Sequence, residues 1–269
     1  MSFTIVTAFV YISRESWQTS SRETEHYFQC FEEFFFQPYK MVVFIDDRYA
    51  NKVYELKEKY NDTKMKVIPI NEEWMKKNIW CWNLLDKESE IMNSQSYFNL
   101  VKNRYTDPEV RYPKYTLVNH AKIDFVCNAI DNNLVEDELV AWADFGCRKN
   151  TDSSTYKPFN KFNFNLIDVN KLNACIMKDI VESDKDIIHQ MVHQNPTITG
   201  GFFMGNKAVL KKYQELYHIT LLTFQFYNLA DDDQHILLRC YLQCPELFKL
   251  RHTNNEWNLC YTFFEEEPK

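Results

Sequence analysis

The sequence predicts an α/β protein built on a mostly parallel sheet. Three observations carry that reading. Apolar, β-branched runs of strand length alternate with segments of helical periodicity. The run Leu139-Val-Ala-Trp-Ala143 is apolar at every position, as a strand covered on both faces is. It ends in Asp144-Phe-Gly146, and in open α/β sheets ligands bind beyond the carboxyl ends of strands. A carboxylate there is well placed to hold a metal-bound diphosphate. The plain alternative is an Asp that opens a turn before a Gly.

The elements follow in order. Phe3 to Val10 is apolar and β-branched and reads as the first strand; the polar stretch Ser13 to Arg22 reads as a loop, with Arg14 able to meet a phosphate. Glu23 to Gln37 carries Tyr27, Phe28, Phe31, Phe34 and Phe35 at helical spacing, and Pro38 ends it. Met41–Ile45 is a second strand, Ala50–Tyr60 a charged helix and Lys66–Ile70 a third strand. Asn71 to Arg104 is helical and aromatic-rich, and Trp74, Trp80 and Trp82 read as core. Leu117–Ile130 is a strong helix that feeds the strand before Asp144. The polar connection Cys147–Asn165 opens with Arg148 and Lys149, and its length suggests a lid. Phe164–Val169 is expected to form a strand and 170–194 helix and connector. Ile198–Met204 is a strand interrupted by Gly200-Gly201, Asn206–Tyr227 a long helix, and Asp231 opens another to about Leu242.

The chain has 269 residues, 45% hydrophobic and 16% aromatic, enough for a sizeable core. No linker rich in Pro, Gly or Ser divides it, so one domain over 1–269 is the simpler organisation. A net charge of −7 argues against a nucleic-acid binder. The N-terminus enters a strand directly, without a basic segment or a long apolar run, so a soluble, reducing, intracellular setting is expected. The eight cysteines are scattered without a Cys-x-x-Cys, which disfavours zinc. No Gly-x-Ser-x-Gly elbow and no phosphate-cradling Gly-rich loop occur, which disfavours serine hydrolases, P-loop enzymes and dinucleotide oxidoreductases.

Glycine is scarce: Gly146, Gly200, Gly201 and Gly205 are all there are. A chain this sparing places glycine where the backbone needs positive φ or close approach, so both segments become site candidates. Asp231-Asp-Asp-Gln234 precedes an apolar helix. One acid would cap that helix, but three adjacent acids cannot all do so. The remaining carboxylates point to a cation, a sugar hydroxyl cluster or bulk water. His189 and His193 stand four apart without the Glu of a zinc-protease motif and read as a solvated pair.

Taken together, Thr4-Ile-Val-Thr-Ala-Phe9, Tyr115-Thr-Leu-Val-Asn-His-Ala-Lys-Ile-Asp124, Trp142-Ala-Asp-Phe-Gly146 and Thr199-Gly-Gly-Phe-Phe resemble the HtrL/YibB (WlaTC) glycosyltransferase-like family over most of residues 3–240. The order Gly200-Gly-Phe, Asp231-Asp-Asp-Gln, Leu250-Arg-His-Thr is similar to the glucosyltransferase domain of the lysyl hydroxylases. The whole resembles the collagen galactosylhydroxylysyl glucosyltransferases of giant viruses, which would fit the Lys- and Asn-rich composition and would place the protein in a host cytoplasm.

The resemblance implies a GT-A-type domain with a Rossmann-like mixed, mostly parallel sheet. It implies a retaining transfer of glucose from UDP-glucose to galactosylhydroxylysine of a collagen-like protein, with Mn²⁺. Carried over by position, Asp144 and His252 would hold the metal, and Thr7 and Ala8 would edge the uridine pocket. Lys122 would meet the diphosphate; Gly200, Gly201 and Asp231 would lie along the donor. Asp232, Asp233 and Gln234 would serve the chemistry. One departure stands out: the second acid of the metal motif falls on Cys147 or, at the shorter spacing, on Gly146. Two alternatives stay open, a transferase using another UDP-sugar and a surface-glycan acceptor, and a GT-A-like binding protein without turnover. The many aromatics leave a homodimer open.

Overall fold

The computed structural model describes residues 1–19, 21–35, 39–147, 162–193, 196–253 and 263. Seven strands are present: β1 (Phe3–Phe9), β2 (Lys40–Asp46), β3 (Met65–Ile70), β4 (Leu139–Ala143), β5 (Leu172–Ile176), β6 (Ile198–Asn206) and β7 (Phe248–His252). They form one sheet in the order β3-β2-β1-β4-β6-β5-β7. β6 pairs antiparallel with β4 and β5, and every other pairing is parallel. The mixed, mostly parallel sheet expected from the sequence is the one found.

Alternating residues feed two cores, as a sheet covered on both faces requires. On one face Phe3, Ile5, Val43 and Ile45 pack with Phe28 and Phe31 of α1 (Thr24–Phe35) and Val53 of α2 (Ala50–Lys59). On the other, Val6, Val42, Phe44 and Trp142 meet the remaining helices. These are α3 (Glu72–Asn78), α4 (Leu85–Met92), α5 (Gln95–Val101), α6 (Pro113–Asp131), α7 (Ile187–His193), α8 (Lys207–Phe226) and α9 (Asp233–Gln243). Trp82 is buried, Trp74 packs at 5.4 Å from Phe44, and Trp80 stacks on His218 at 3.9 Å, so none of the three is a free platform.

α6 does most to position the site. The sequence gives it one apolar face; the structure buries it nearly all round, between the sheet, α4 and α8. His120, Lys122 and Asp124 are therefore buried polar residues on a central helix.

Four sequence expectations change. Phe164–Val169 is no strand: Phe164–Leu166 is a 3-10 turn, and the strand follows at β5. Asn173 explains this: its side chain accepts from the Asp168 amide at 2.8 Å and donates to the Asp168 and Lys171 carbonyls, tying a tight loop before the strand. Residues 170–194 hold this strand and only a short helix, α7. β6 runs unbroken through Gly200-Gly201, and the irregularity shows as a register shift opposite them, between Ala174 and Cys175. The stretch 71–104 is not one helix: it breaks at Ile79 and at Ser94, whose hydroxyl caps α5 through the Tyr97 amide. The expected lid and its Arg148 and Lys149, the Pro38 stop, and the side chains of Phe34 and Phe35 lie outside the described residues.

Candidate active site

β1 leads away through α1 to β2 and β3 on one side, while β4 pairs with β1 on the other. The chain order reverses between them, which leaves a crevice at their carboxyl ends. A cavity of about 180 Å³ opens there, lined among others by Ala8, Arg14, Arg22, Tyr115, Lys122 and Asp144. Thr7, the neighbour of Ala8, is buried in β1 off this lining, and its hydroxyl has no hydrogen-bond partner.

Lys122 is the hub. Its ammonium reaches Asp233 Oδ2 at 2.7 Å, Asp144 Oδ1 at 3.1 Å and the Gly200 carbonyl at 3.3 Å. Burial alone would push this ammonium's pKa down, but the carboxylates of Asp144 and Asp233 outweigh it and hold it above the ordinary lysine value. Asp144 is fixed from two further sides: the Trp142 indole N–H donates to Oδ1 at 2.7 Å, and its own amide donates to the Gly201 carbonyl at 3.0 Å. Burial, with the fields of Asp232 and Asp144, raises the Asp233 carboxyl to about 6 against the pull of Lys122.

Gly200 is required by close approach. A Cβ there would stand 1.7 Å from Asp233 Oδ2, so any side chain would drive Asp233 off Lys122. No glycine has positive φ, so of the two reasons for sparing glycine only close approach operates here.

The three acids divide their work. Asp232 caps α9, accepting from the Gln234 amide at 3.1 Å and the Gln234 side chain at 2.9 Å. Asp233 turns to Lys122. Asp231 turns the other way, to His235 Nδ1 at 2.7 Å, with the Arg104 guanidinium 3.8 Å away. Burial would lower His235, but the Asp231 charge and hydrogen bond raise it to about 9. Asp231, Asp232 and His235 each offer a ligand atom within 4.8 Å of the others, a grouping able to hold a cation. Here the Arg104 and His235 charges already balance the two carboxylates.

Of the residues singled out in the sequence, the structure thus brings Lys122, Asp144, Gly200, Gly201 and Asp233 together, with Asp231, Asp232 and Gln234 alongside and Ala8 in the same cleft lining. His252 stands apart. It ends β7, three strand spacings or about 14 Å from β4, and its imidazole faces Asp179 at 3.4 Å. His189 and His193 stack on each other at 4.2 Å, joined to no carboxylate cluster among the described residues. Six of the seven described cysteines are buried. Sequence reading missed Arg104 and His235. The four-residue step from Asp231 was a visible signal for His235; nothing local marks Arg104.

The sequence model of a bacterial family of unknown function, HtrL_YibB, matches residues 1–265. The chain belongs to this family. Protein HtrL of Escherichia coli (strain K12) is 28% identical over 267 residues, covering 93% of this chain and 88% of that protein. Among solved structures, the apo form of mouse xyloside xylosyltransferase 1 aligns over 93% of this chain and 84% of its own, at 10% identity and a TM-score of 0.40. Among the described residues of this family member, no helix is long and apolar enough to cross a membrane.

Proposed function

We propose that the protein is a UDP-sugar-dependent glycosyltransferase of the retaining kind, with UDP-glucose as donor and galactosylhydroxylysine of a collagen-like chain as acceptor. One observation carries the reading: a buried ammonium held by Asp144, Asp233 and a β6 carbonyl at a crevice between oppositely wound halves of the sheet. That crevice is where α/β sheets take phosphorylated ligands. The donor and acceptor rest on the likeness of the Gly200-Gly-Phe and Asp231-Asp-Asp-Gln segments to the lysyl hydroxylase glucosyltransferase domain.

In the reaction the bond between the anomeric carbon and the β-phosphate oxygen breaks, and its electron pair stays on that oxygen. The acceptor hydroxyl oxygen forms the new bond to the anomeric carbon, and its proton passes to the departing phosphate oxygen. Lys122 meets the charge that grows on the diphosphate. The developing oxocarbenium is met by Asp233, the acid of the run that reaches Lys122.

The residues expected to hold Mn²⁺ do not form a ligand set. Asp144 is engaged by Lys122 and Trp142, the position of the second acid is the buried Cys147, and His252 lies on the far strand. No step is therefore assigned to a metal.

The test is UDP release from a panel of UDP-sugars with and without a galactosylhydroxylysine peptide. Acceptor-stimulated release from UDP-glucose that falls at least a hundredfold in Asp144→Ala supports the reading. Release with another donor alone removes the collagen assignment. UDP binding without transfer to any acceptor favours a binding protein.

A further inference from the structure

On the transferase reading, Lys122 takes the place of a metal. Lys122 Nζ sits among three oxygens, from Asp233, Asp144 and the Gly200 carbonyl, at 2.7, 3.1 and 3.3 Å. Two carboxylates and a carbonyl are the oxygen set a hard divalent ion would use. An ion entering there would have to displace the ammonium or stand against it. The missing second acid completes the pattern: Cys147 is buried, and its amide donates to the Asp144 carbonyl at 2.8 Å.

The cleft lining supplies more positive charge. Arg14 donates to the Tyr27 hydroxyl at 2.7 Å, and its guanidinium lies 5.1 Å from the Tyr115 ring and 5.5 Å from the Trp17 ring. Arg22 lies 5.4 Å from the Tyr27 ring. Tyr27 and Tyr115 both line the cleft, so the two guanidinium groups are seated by aromatic faces on its rim. In a chain of net charge −7, the cleft lining among the described residues holds Arg14, Arg22 and Lys122 against Glu15 and Asp144, with Asp233 paired to Lys122 behind it. Glu15 already accepts the Tyr11 hydroxyl. Guanidinium forks match phosphate oxygens in geometry as well as charge.

We propose that the chain neutralises the leaving diphosphate with the side-chain cations that line the cleft, Arg14 and Arg22 together with Lys122, and needs no divalent metal for it. The charge that reaches the β-phosphate oxygen when the glycosidic bond breaks is met by these three groups. The triad Asp231, Asp232 and His235 is the rival place for a cation. None of its members lines the cleft, and Arg104 stands 3.8 Å from Asp231.

The experiment measures binding of UDP and of uridine by calorimetry, in EDTA and in millimolar Mn²⁺, to the wild type and to Arg14→Gln with Arg22→Gln. Three results are expected. UDP affinity differs by less than about threefold between EDTA and Mn²⁺. The double variant weakens UDP about a hundredfold, since each of the two lost charge-assisted contacts is worth about a factor of ten. Uridine binding stays the same in the variant, which shows that the pocket is folded. UDP release from the donor should also persist in EDTA. A tenfold or larger gain in UDP affinity with Mn²⁺ overturns the proposal, and loss of that gain in Asp231→Asn would move the ion to the triad. An unchanged UDP affinity in the double variant overturns it as well. If UDP and UDP-sugars bind under neither condition, the transferase reading falls and the cation clamp with it.

Discussion

Asp231 and Asp233 stand two residues apart, are both nearly buried, and are both ion-paired, yet they belong to different regions. Asp233 faces the cleft through Lys122, which lines it. Asp231 faces inward, to His235 and Arg104, and Arg104 is itself tied to the Asp107 carboxylate and the Met191 carbonyl. The first pair is open to a ligand and carries an excess carboxylate, Asp144. The second is closed, with charges matched. One run of acids thus supplies both the cleft-side carboxylate on Lys122 and the brace behind it, and the helix cap at Asp232 separates the two.

The difference can be broken most sharply at Lys122. Lys122→Met should lower UDP release by a factor of a hundred or more. It should also cost on the order of 3–5 kcal/mol in denaturant unfolding, because Asp144 and buried Asp233 lose their counter-charge. Next is Gly200→Ala, which presses on Asp233 Oδ2 from 1.7 Å. An activity loss of tenfold or more is expected, with about 1–3 kcal/mol of overpacking; unchanged turnover would show that Asp233 can work away from Lys122. On the inward side, His235→Gln should reduce stability by a few kcal/mol while turnover of the folded enzyme stays within about threefold.

The same pair sets a pH dependence. His235 is raised from 6.5 to about 9. Its contribution is fully present below pH 6.5 and is lost as pH rises through about 9. Thermal melts of the wild type should therefore fall across that window, and those of His235→Gln should be flatter. The smallest effect is the control: Lys52→Ala removes an exposed pair with Glu25 and should shift stability by less than about 0.5 kcal/mol.

The site was more legible than the C-terminal half of the sheet. An acid after an apolar strand, two glycines in a glycine-poor chain and three adjacent acids are local signals, and all of them met at Lys122. β5 hid because Asn173 and Cys175 carry no strand preference, and Asn173 sits inside the strand only because its amide binds loop carbonyls and Met204. β7 is a five-residue edge strand, too short to show a period. The breaks at Ile79 and Ser94 split a helical pattern that periodicity alone runs together. Arg104 reaches Asp231 across 127 positions, a contact no spacing rule reveals.

β6 follows β5 in the chain but lies between it and β4, running against both. The first four strands and α6 carry Lys122 and, directly after β4, Asp144. The Gly200 carbonyl arrives only when β6 inserts, and Asp233 only when α9 closes over it. A nascent or truncated chain therefore carries an ammonium with one carboxylate and no cleft floor. The Lys122 cluster is complete only with the last third of the chain, so its geometry is itself a report that the whole chain has folded.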